Sequence, residues 1–312
     1  MAVLNAFNKS GEWFKGNLHC HSSNSDGALP PSKVAALYKI NGWNFLAFTE
    51  HELYTDNKEY NDDNFLIIPG AELCLYDRRD PDTGKLPHIV GISKTELKGG
   101  IGFKHGDSFP KERGYSSEAA QKMITSLSSR ENLPILCHPN WSRLEYEDIK
   151  ILKDFFAMEI FNYGCFLESN TGLCIDYWDS LLRSGKKVWG VATDDAHHQL
   201  KDQCGGWVMA KAEKLTCEAI SAALAEGSFY SSSGPEIYEF TVTGDEVHIE
   251  CSPVNVIHFI TYKETGYSHW ADSNASLTSS EYRLHGNEKY VRVECVDIYG
   301  KTAWSNPIFL NP

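Results

Sequence analysis

From about residue 15 to residue 230, short apolar runs alternate with stretches of helical period. The runs at 15–20, 44–48, 65–71, 87–92, 133–137, 156–161 and 187–192 have the length of buried strands. Between most of them lie amphipathic segments, at 31–40, 116–129, 145–153, 174–183 and 216–226, that read as helices. Pro31 suits a helix start and Asn41-Gly42 its end. Strand followed by helix, repeated, implies a largely parallel sheet covered by helices. Seven such strands favour closure into a barrel over an open sheet.

Two regions break this rhythm. Residues 93–115 are rich in glycine and basic side chains and show no period, as expected of a functional or mobile loop. After Pro235 the pattern becomes partly alternating, with strands expected at 239–243, 246–251, 256–262 and 289–296 and a turn at Thr243-Gly244-Asp245. The chain therefore divides into an α/β domain, 1–235, and a small all-β domain of sandwich type, 236–312.

Composition narrows the partners. The chain has 312 residues, 42% of them hydrophobic, enough for a sizeable core. A formal net charge of −13 disfavours polymeric nucleic acid and suits a small substrate, above all one met by bound cations. Residues 1–16 lack a basic stretch followed by an apolar run, so no signal peptide is expected, and no run is long enough to span a membrane. The 9 cysteines are odd in number and scattered; with Cys20, Cys74 and Cys137 in expected strands, they read as reduced thiols of a cytoplasmic protein.

The chemistry lies at the strand ends. In His19-Cys20-His21, residues two apart on an extended chain face one side, so the imidazoles form a ready pair of metal ligands while Cys20 faces away. Asp26 follows in a polar loop; His51 and Glu72 close the next two runs, and His88 opens another. His138 follows 133–137, and Asp195 and His197 follow 187–192. In parallel α/β folds the C-terminal strand ends meet on one face. So many buried imidazoles and carboxylates would repel and desolvate one another without cations between them. A mixed imidazole and carboxylate set suits Zn, Mn or Fe.

The series His19-Cys20-His21, Asp26, Glu50-His51, Glu72, His88, Cys137-His138-Pro139 and Asp195-Ala196-His197 resembles the polymerase and histidinol phosphatase (PHP) family of phosphoesterases over about residues 15–235. The resemblance implies a distorted seven-stranded β/α barrel and two or three divalent metal ions. It implies one metal on His19, His21, Glu72 and Asp195, a second on Glu72, His88 and His138, and a third on Asp26, His51 and His197. Glu50 departs from the aspartate common in the family and is expected beside the ligands rather than among them. Met158-Glu159-Ile160-Phe161-Asn162, Ser231-Ser232-Ser233-Gly234-Pro235 and Trp304-Ser305-Asn306-Pro307 resemble a subgroup with an immunoglobulin-like C-terminal domain.

The expected function is hydrolysis of a small phosphorylated metabolite or nucleotide by a metal-activated hydroxide, with no side-chain nucleophile. Ser22 and Ser23 lack the context of a nucleophilic serine, and Cys20 and Cys137 are expected to face the core. Lys104, His105 and Arg113 in the long loop, Arg143 shortly after His138, and Asn162 at a strand end are the candidates for contact with substrate. An amidohydrolase, which also opens with His-x-His, and a non-catalytic metal- or ligand-binding module are the alternatives. A homo-oligomer through the β domain is left open.

Overall fold

The computed structural model describes residues 3–7, 10–76, 84–96, 106–107, 112–113 and 116–310. The α/β part is built on β1 (Glu12–Asn17), β2 (Phe45–Phe48), β3 (Leu66–Tyr76), β4 (His88–Ser93), β5 (Asn132–Leu136), β6 (Ala157–Asn162), β7 (Trp189–Thr193), β8 (Trp207–Ala212) and β9 (Phe229–Ser232). Its helices are α1 (Pro31–Ile40), α2 (Ser117–Ser128), α3 (Tyr146–Lys150), α4 (Tyr163–Ser169), α5 (Ile175–Arg183) and α6 (Cys217–Ala225). Local chemistry sets their ends. The Ser116 hydroxyl caps α2 by accepting from Ala119 N, and Gly42 ends the turn after α1 at φ +83°.

Strands β1, β2 and β3 pair in parallel, as do β5, β6 and β7. Between these blocks, β4 runs antiparallel to both β3 and β5. The sheet is therefore mixed rather than largely parallel. The reason is the connection from β3 to β4, which carries no helical pattern to bring the chain back across the sheet. The reversal has a consequence for chemistry: the start of β4, with His88, lies at the same end of the sheet as the finishes of its neighbours.

One face of β1 to β7 shares a single core, with Phe14, Ala47, Ile68, Val90, Ile135, Ala157 and Val191 packed together and α6 against them. Helices α2, α3 and α5 cover the other face of the later strands, and α1 covers that of β1 and β2. The first and last strands of this seven-stranded block meet just beyond β1 and β7. There Cys20 and Ala196 form one parallel bridge, with Asp195 N donating to His19 O at 2.9 Å and His21 N to Ala196 O at 3.0 Å. Among the described residues no ladder joins β7 to β1, so the sequence expectation of a closed barrel is met only by a mixed sheet with bridged ends.

Strand β8 lies antiparallel to β1 and to β9, and β9 pairs with Thr302–Ser305. Backbone pairing thus runs on into the C-terminal region. There, Val3–Asn5, Ile237–Thr243, Glu246–Val254 and Leu277–Arg283 form a separate antiparallel sheet. It faces Val256–Thr261, Tyr267–Trp270 and Tyr290–Val296 across a shared core of Phe240, Val247, Ile249, Phe259 and Val293. The serine-rich turn and the Trp304–Pro307 tail act as a seam. The Ser231 hydroxyl donates to Gly190 O and accepts from Ala192 N, while Asn306 accepts from Gly190 N and donates to Phe229 O. No helix among the described residues is long and apolar enough to cross a membrane. All 9 cysteines are free thiols.

Candidate metal centre

The extended chain beyond β1 carries His19 and His21 to one side, their Nε2 atoms 3.2 Å apart, while Cys20 packs against α1. Both imidazoles are wholly buried. They converge on Glu72, which lies inside β3 rather than at its end, because that strand continues to Tyr76. Five imidazoles surround this one carboxylate. His19 Nε2, His88 Nδ1 and His138 Nε2 lie 3.3, 2.8 and 3.4 Å from Oε1; His21 Nε2 and His51 Nδ1 lie 3.3 and 3.0 Å from Oε2. Asp195 stands opposite, its Oδ1 3.2 Å from both His19 Nε2 and His21 Nε2.

A second group sits nearer solvent. Asp26, about half exposed, places its oxygens 3.3 Å from His51 Nε2 and 3.4 Å from His197 Nε2, with His21 Nδ1 at 3.6 Å. Within these clusters the donor atoms lie close enough to share ions: His19, His21 and Glu72; His19, His138 and Asp195; His51, Glu72 and His88; and His21, Asp26, His51 and His197. Every one of the sequence-expected donors is in this single cluster, and His21 and His51 face two groups at once.

Electrostatics show how tightly the set is wound. Burial alone would raise the Glu72 carboxyl, but His19, His88 and His51 hold it well below its usual range. The same contest keeps Asp195 low. Conversely, burial would depress His19, yet Asp195, Glu72 and Glu159 push it well above an ordinary histidine. His88 is the exception, with burial winning and lowering it despite Glu72. Three buried atoms of the set, His51 Nδ1, His88 Nε2 and Glu72 Oε2, have no hydrogen-bond partner. Orphaned polar atoms beside a mixed nitrogen and oxygen donor set fit divalent cations.

Two members of the set, His138 at φ +27° and Asp195 at φ +52°, adopt the left-handed region that non-glycine residues seldom enter. Such strain clusters at functional sites and costs on the order of 1–3 kcal/mol per residue. Neighbours hold each in place. Asp194, just before Asp195, accepts from Tyr38 OH and from the amides of Cys204, Gly205 and Gly206, which pins the loop after β7. Burial nevertheless raises its carboxyl to about 6. Glu50 is not in the cluster of donors; it accepts from Ser22 N, the Ser22 hydroxyl and the Ser25 hydroxyl, and so shapes the loop that presents Asp26.

A cavity of about 280 Å³ opens over the cluster, lined by Asp26, His51, Glu72, His88, His138, Asp195 and His197. Its outer wall is Leu86, Trp141, Glu168, Gln199, Leu200 and Asp202, with the Trp141 indole N–H donating to Glu168. The expected substrate contacts fare differently. Arg143 is exposed in a left-handed turn and does not line the cavity. Asn162 is fully buried, and its amide donates to Glu159 and Asp195, so it orders the cluster from behind. Lys104 and His105 lie outside the described residues, as does the side chain of Arg113. Trp141 was not singled out from sequence, since one aromatic residue beside a turn carries no periodic signal. Glu159 carries a signal of its own, since a glutamate inside an apolar strand is a sign of a buried partner.

No family model and no curated protein matches the chain. Among solved structures it is similar to a two-domain protein of Bacteroides vulgatus, described as containing a predicted PHP-like metal-dependent phosphoesterase, at 13% identity, over 93% of this chain and 94% of that one, with a TM-score of 0.48. It is also similar, at 13% identity, to a protein of Bifidobacterium adolescentis named as a metal-dependent phosphoesterase, over 60% of this chain and 88% of that one, TM-score 0.42. An amidohydrolase of Chromobacterium violaceum is similar at 13% identity over 60% and 89%, TM-score 0.43. Likenesses at these scores carry no weight for the site, which stands on its own geometry.

Proposed function

We propose that the chain is a metal-dependent phosphoesterase of PHP type, acting on a small phosphorylated metabolite or nucleotide. The observation that carries this reading is the convergence of His19, His21, His51, His88 and His138 on the one buried carboxylate of Glu72. That arrangement suits two or three divalent cations: one on His19, His21, Glu72 and Asp195, one on Glu72, His88 and His138, and one on Asp26, His51 and His197. Bound there, such cations would neutralise phosphate charge and act as Lewis acids.

The protein's own side chains supply position and shelter. Imidazoles and carboxylates on separate strand ends hold the donor set rigid. Trp141, Leu86 and Leu200 give the cavity an apolar wall that limits water, and Glu168 and Gln199 offer polar contacts to the alcohol portion of the ester, while Asp202 accepts from His197 N and His198 N and holds that loop. An acidic rim of this kind disfavours polyanions, in line with the net charge of −13. In this reading residues 236–312, with Val3–Asn5 paired onto their sheet, form an immunoglobulin-like domain.

The test is to strip the protein with chelator, reload it with Mn²⁺, Fe²⁺ or Zn²⁺, and assay an aryl phosphate and a panel of phosphorylated metabolites. Turnover that appears on loading and disappears on chelation is the expected result. No phosphate release with any metal would refute the reading, and release from amide substrates instead would replace it with an amidohydrolase.

A further inference from the structure

Behind the donor cluster, the carboxylate of Glu159 is 1% exposed and is met by four groups. Oε1 lies 2.7 Å from His19 Nδ1 and 2.7 Å from the Thr193 hydroxyl; Oε2 lies 2.7 Å from His138 N and 2.8 Å from Asn162 Nδ2. A backbone N–H can only donate. Asn162 must also donate, because its other end, Oδ1, already accepts from Cys165 N at 2.9 Å. The Thr193 hydroxyl donates as well. A carboxylate has about four acceptor directions and, ionised, no proton to give. All four are used, so Glu159 has no lone pair left for a cation, although it lies beside His19 and Cys137 in a cluster of metal-ligating type.

We propose that Glu159 is the positioning residue of the metal centre: it fixes His19 with its proton on Nδ1 and its Nε2 bare toward the cation, and it holds the strained backbone of His138 through the amide. The inference rests on the reading that this centre binds divalent cations. Its geometric consequence is visible on the far side of the ring. His19 Nε2 faces Glu72 Oε1 at 3.3 Å, Asp195 Oδ1 at 3.2 Å and His21 Nε2 at 3.2 Å. A bare nitrogen among carboxylate oxygens repels them unless a proton or a metal cation lies between. A ligating imidazole whose second nitrogen is held by a carboxylate is also the more basic ligand, and loss of such a partner weakens metal affinity by about 10–100-fold. Through Asn162, which also donates to Asp195 Oδ2 at 3.1 Å, the same carboxylate is tied to a third donor. One buried group thereby sets His19, His138 and Asp195 together.

Glutamine at this position would keep the shape and reverse the chemistry, turning one acceptor into an NH₂ that meets two donors. The experiment uses the full chain, stripped with chelator and titrated with Zn²⁺ against a chromophoric competitor. The wild type, Glu159→Gln and Thr193→Val are compared, with the chelated melting point of each. Glu159→Gln is expected to weaken the first zinc by about 10–100-fold, and Thr193→Val, which removes a donor but leaves the His19 contact, by less than threefold. Equal losses in the two variants, or a loss under threefold in Glu159→Gln, would overturn the proposal and leave the metal reading intact. A wild type that binds no zinc would overturn both. Should Glu159→Gln fail to fold, ¹⁵N-histidine spectra of the zinc-loaded wild type decide. The His19 signals, assigned by their loss in His19→Gln, are expected to show a proton on Nδ1 and metal on Nε2, and the reverse pattern would end the proposal.

Discussion

Glu72 and Glu288 are both buried carboxylates, one in the candidate metal centre and one in the C-terminal β layers, and they are satisfied in opposite ways. Glu288 accepts from the amides of His285, Gly286 and Asn287 and from the Thr265 hydroxyl, all within a few turns of chain or one facing strand. These backbone bonds outweigh burial and keep its carboxyl low. Glu72 instead gathers five imidazoles from four separate segments and still has an oxygen without a hydrogen-bond partner. A polar group buried for structure is closed by its own chain, whereas one buried for a ligand is left open. Glu159 belongs to the first kind although it lies within the second region, which is why it reads as a support rather than a ligand.

The comparison can be broken most severely at Glu72. Replacing it with glutamine should reduce bound metal, measured by elemental analysis, to a fraction of the wild-type content. If the proposed phosphoesterase reading holds, aryl phosphate turnover should fall on the order of 10⁴-fold, about 5.5 kcal/mol of barrier. Retained metal would mean that Glu72 is not the hub. Phe240→Ala attacks the other region. It deletes a fully buried ring from the C-terminal core and should cost about 3–5 kcal/mol in denaturant unfolding, with the metal content per folded molecule unchanged. A change in stoichiometry would show that the two regions are less separable than their hydrogen bonding suggests.

Between them lies the seam. Asn306→Ala leaves the buried Gly190 N–H without its acceptor and should cost about 1–3 kcal/mol, read as a lower melting point in both the metal-free and the loaded protein. The smallest effect concerns protons. Burial would lower His197, but hydrogen bonding to Asp26 and the charge of Asp195 carry it up to about 9. In the metal-free protein this raised value stabilises the fold below the ordinary histidine range, a gain that disappears as the pH rises through 9. Since a cation needs neutral rings, and, against burial, Glu72 and Asp26 raise His51 as well, apparent affinity at the Asp26, His51 and His197 group should fall by at least about tenfold for each unit of pH lost below 9. Calorimetry in buffers of different ionisation heat would detect the released proton, and a flat affinity from pH 9 to 7 would count against that group.

Much of this was legible in residues alone. The runs at 44–48, 133–137 and 187–192 appear as β2, β5 and β7 within a residue or two, and the helix expected at 31–40 is α1. Alternation and helical period are local properties, and buried apolar strands display them directly. The donor series at the strand ends was visible for the same reason, because charged residues in otherwise apolar contexts stand out. By contrast, β8 and β9 went unseen, since Trp207–Ala212 mixes lysine and methionine with apolar residues and Phe229–Ser232 is half serine.

What the chain determined by itself, then, is which segments are strands, which are helices, and which imidazoles and carboxylates stand at their ends. Tertiary structure alone decided the rest. Pairing reverses β4 and thereby brings His88 to the same end of the sheet as Glu72 and His138. Ser231 and Asn306 reach across to the edge of β7, joining residues more than 40 or 100 positions apart in the chain. The choice of nitrogen by which each histidine faces the cluster depends on what lies behind the ring, as Glu159 lies behind His19 and Ser142 behind His138. Periodicity cannot carry such information, because a side chain's partner across a sheet is fixed by register and strand order, both of which depend on the packing of the whole.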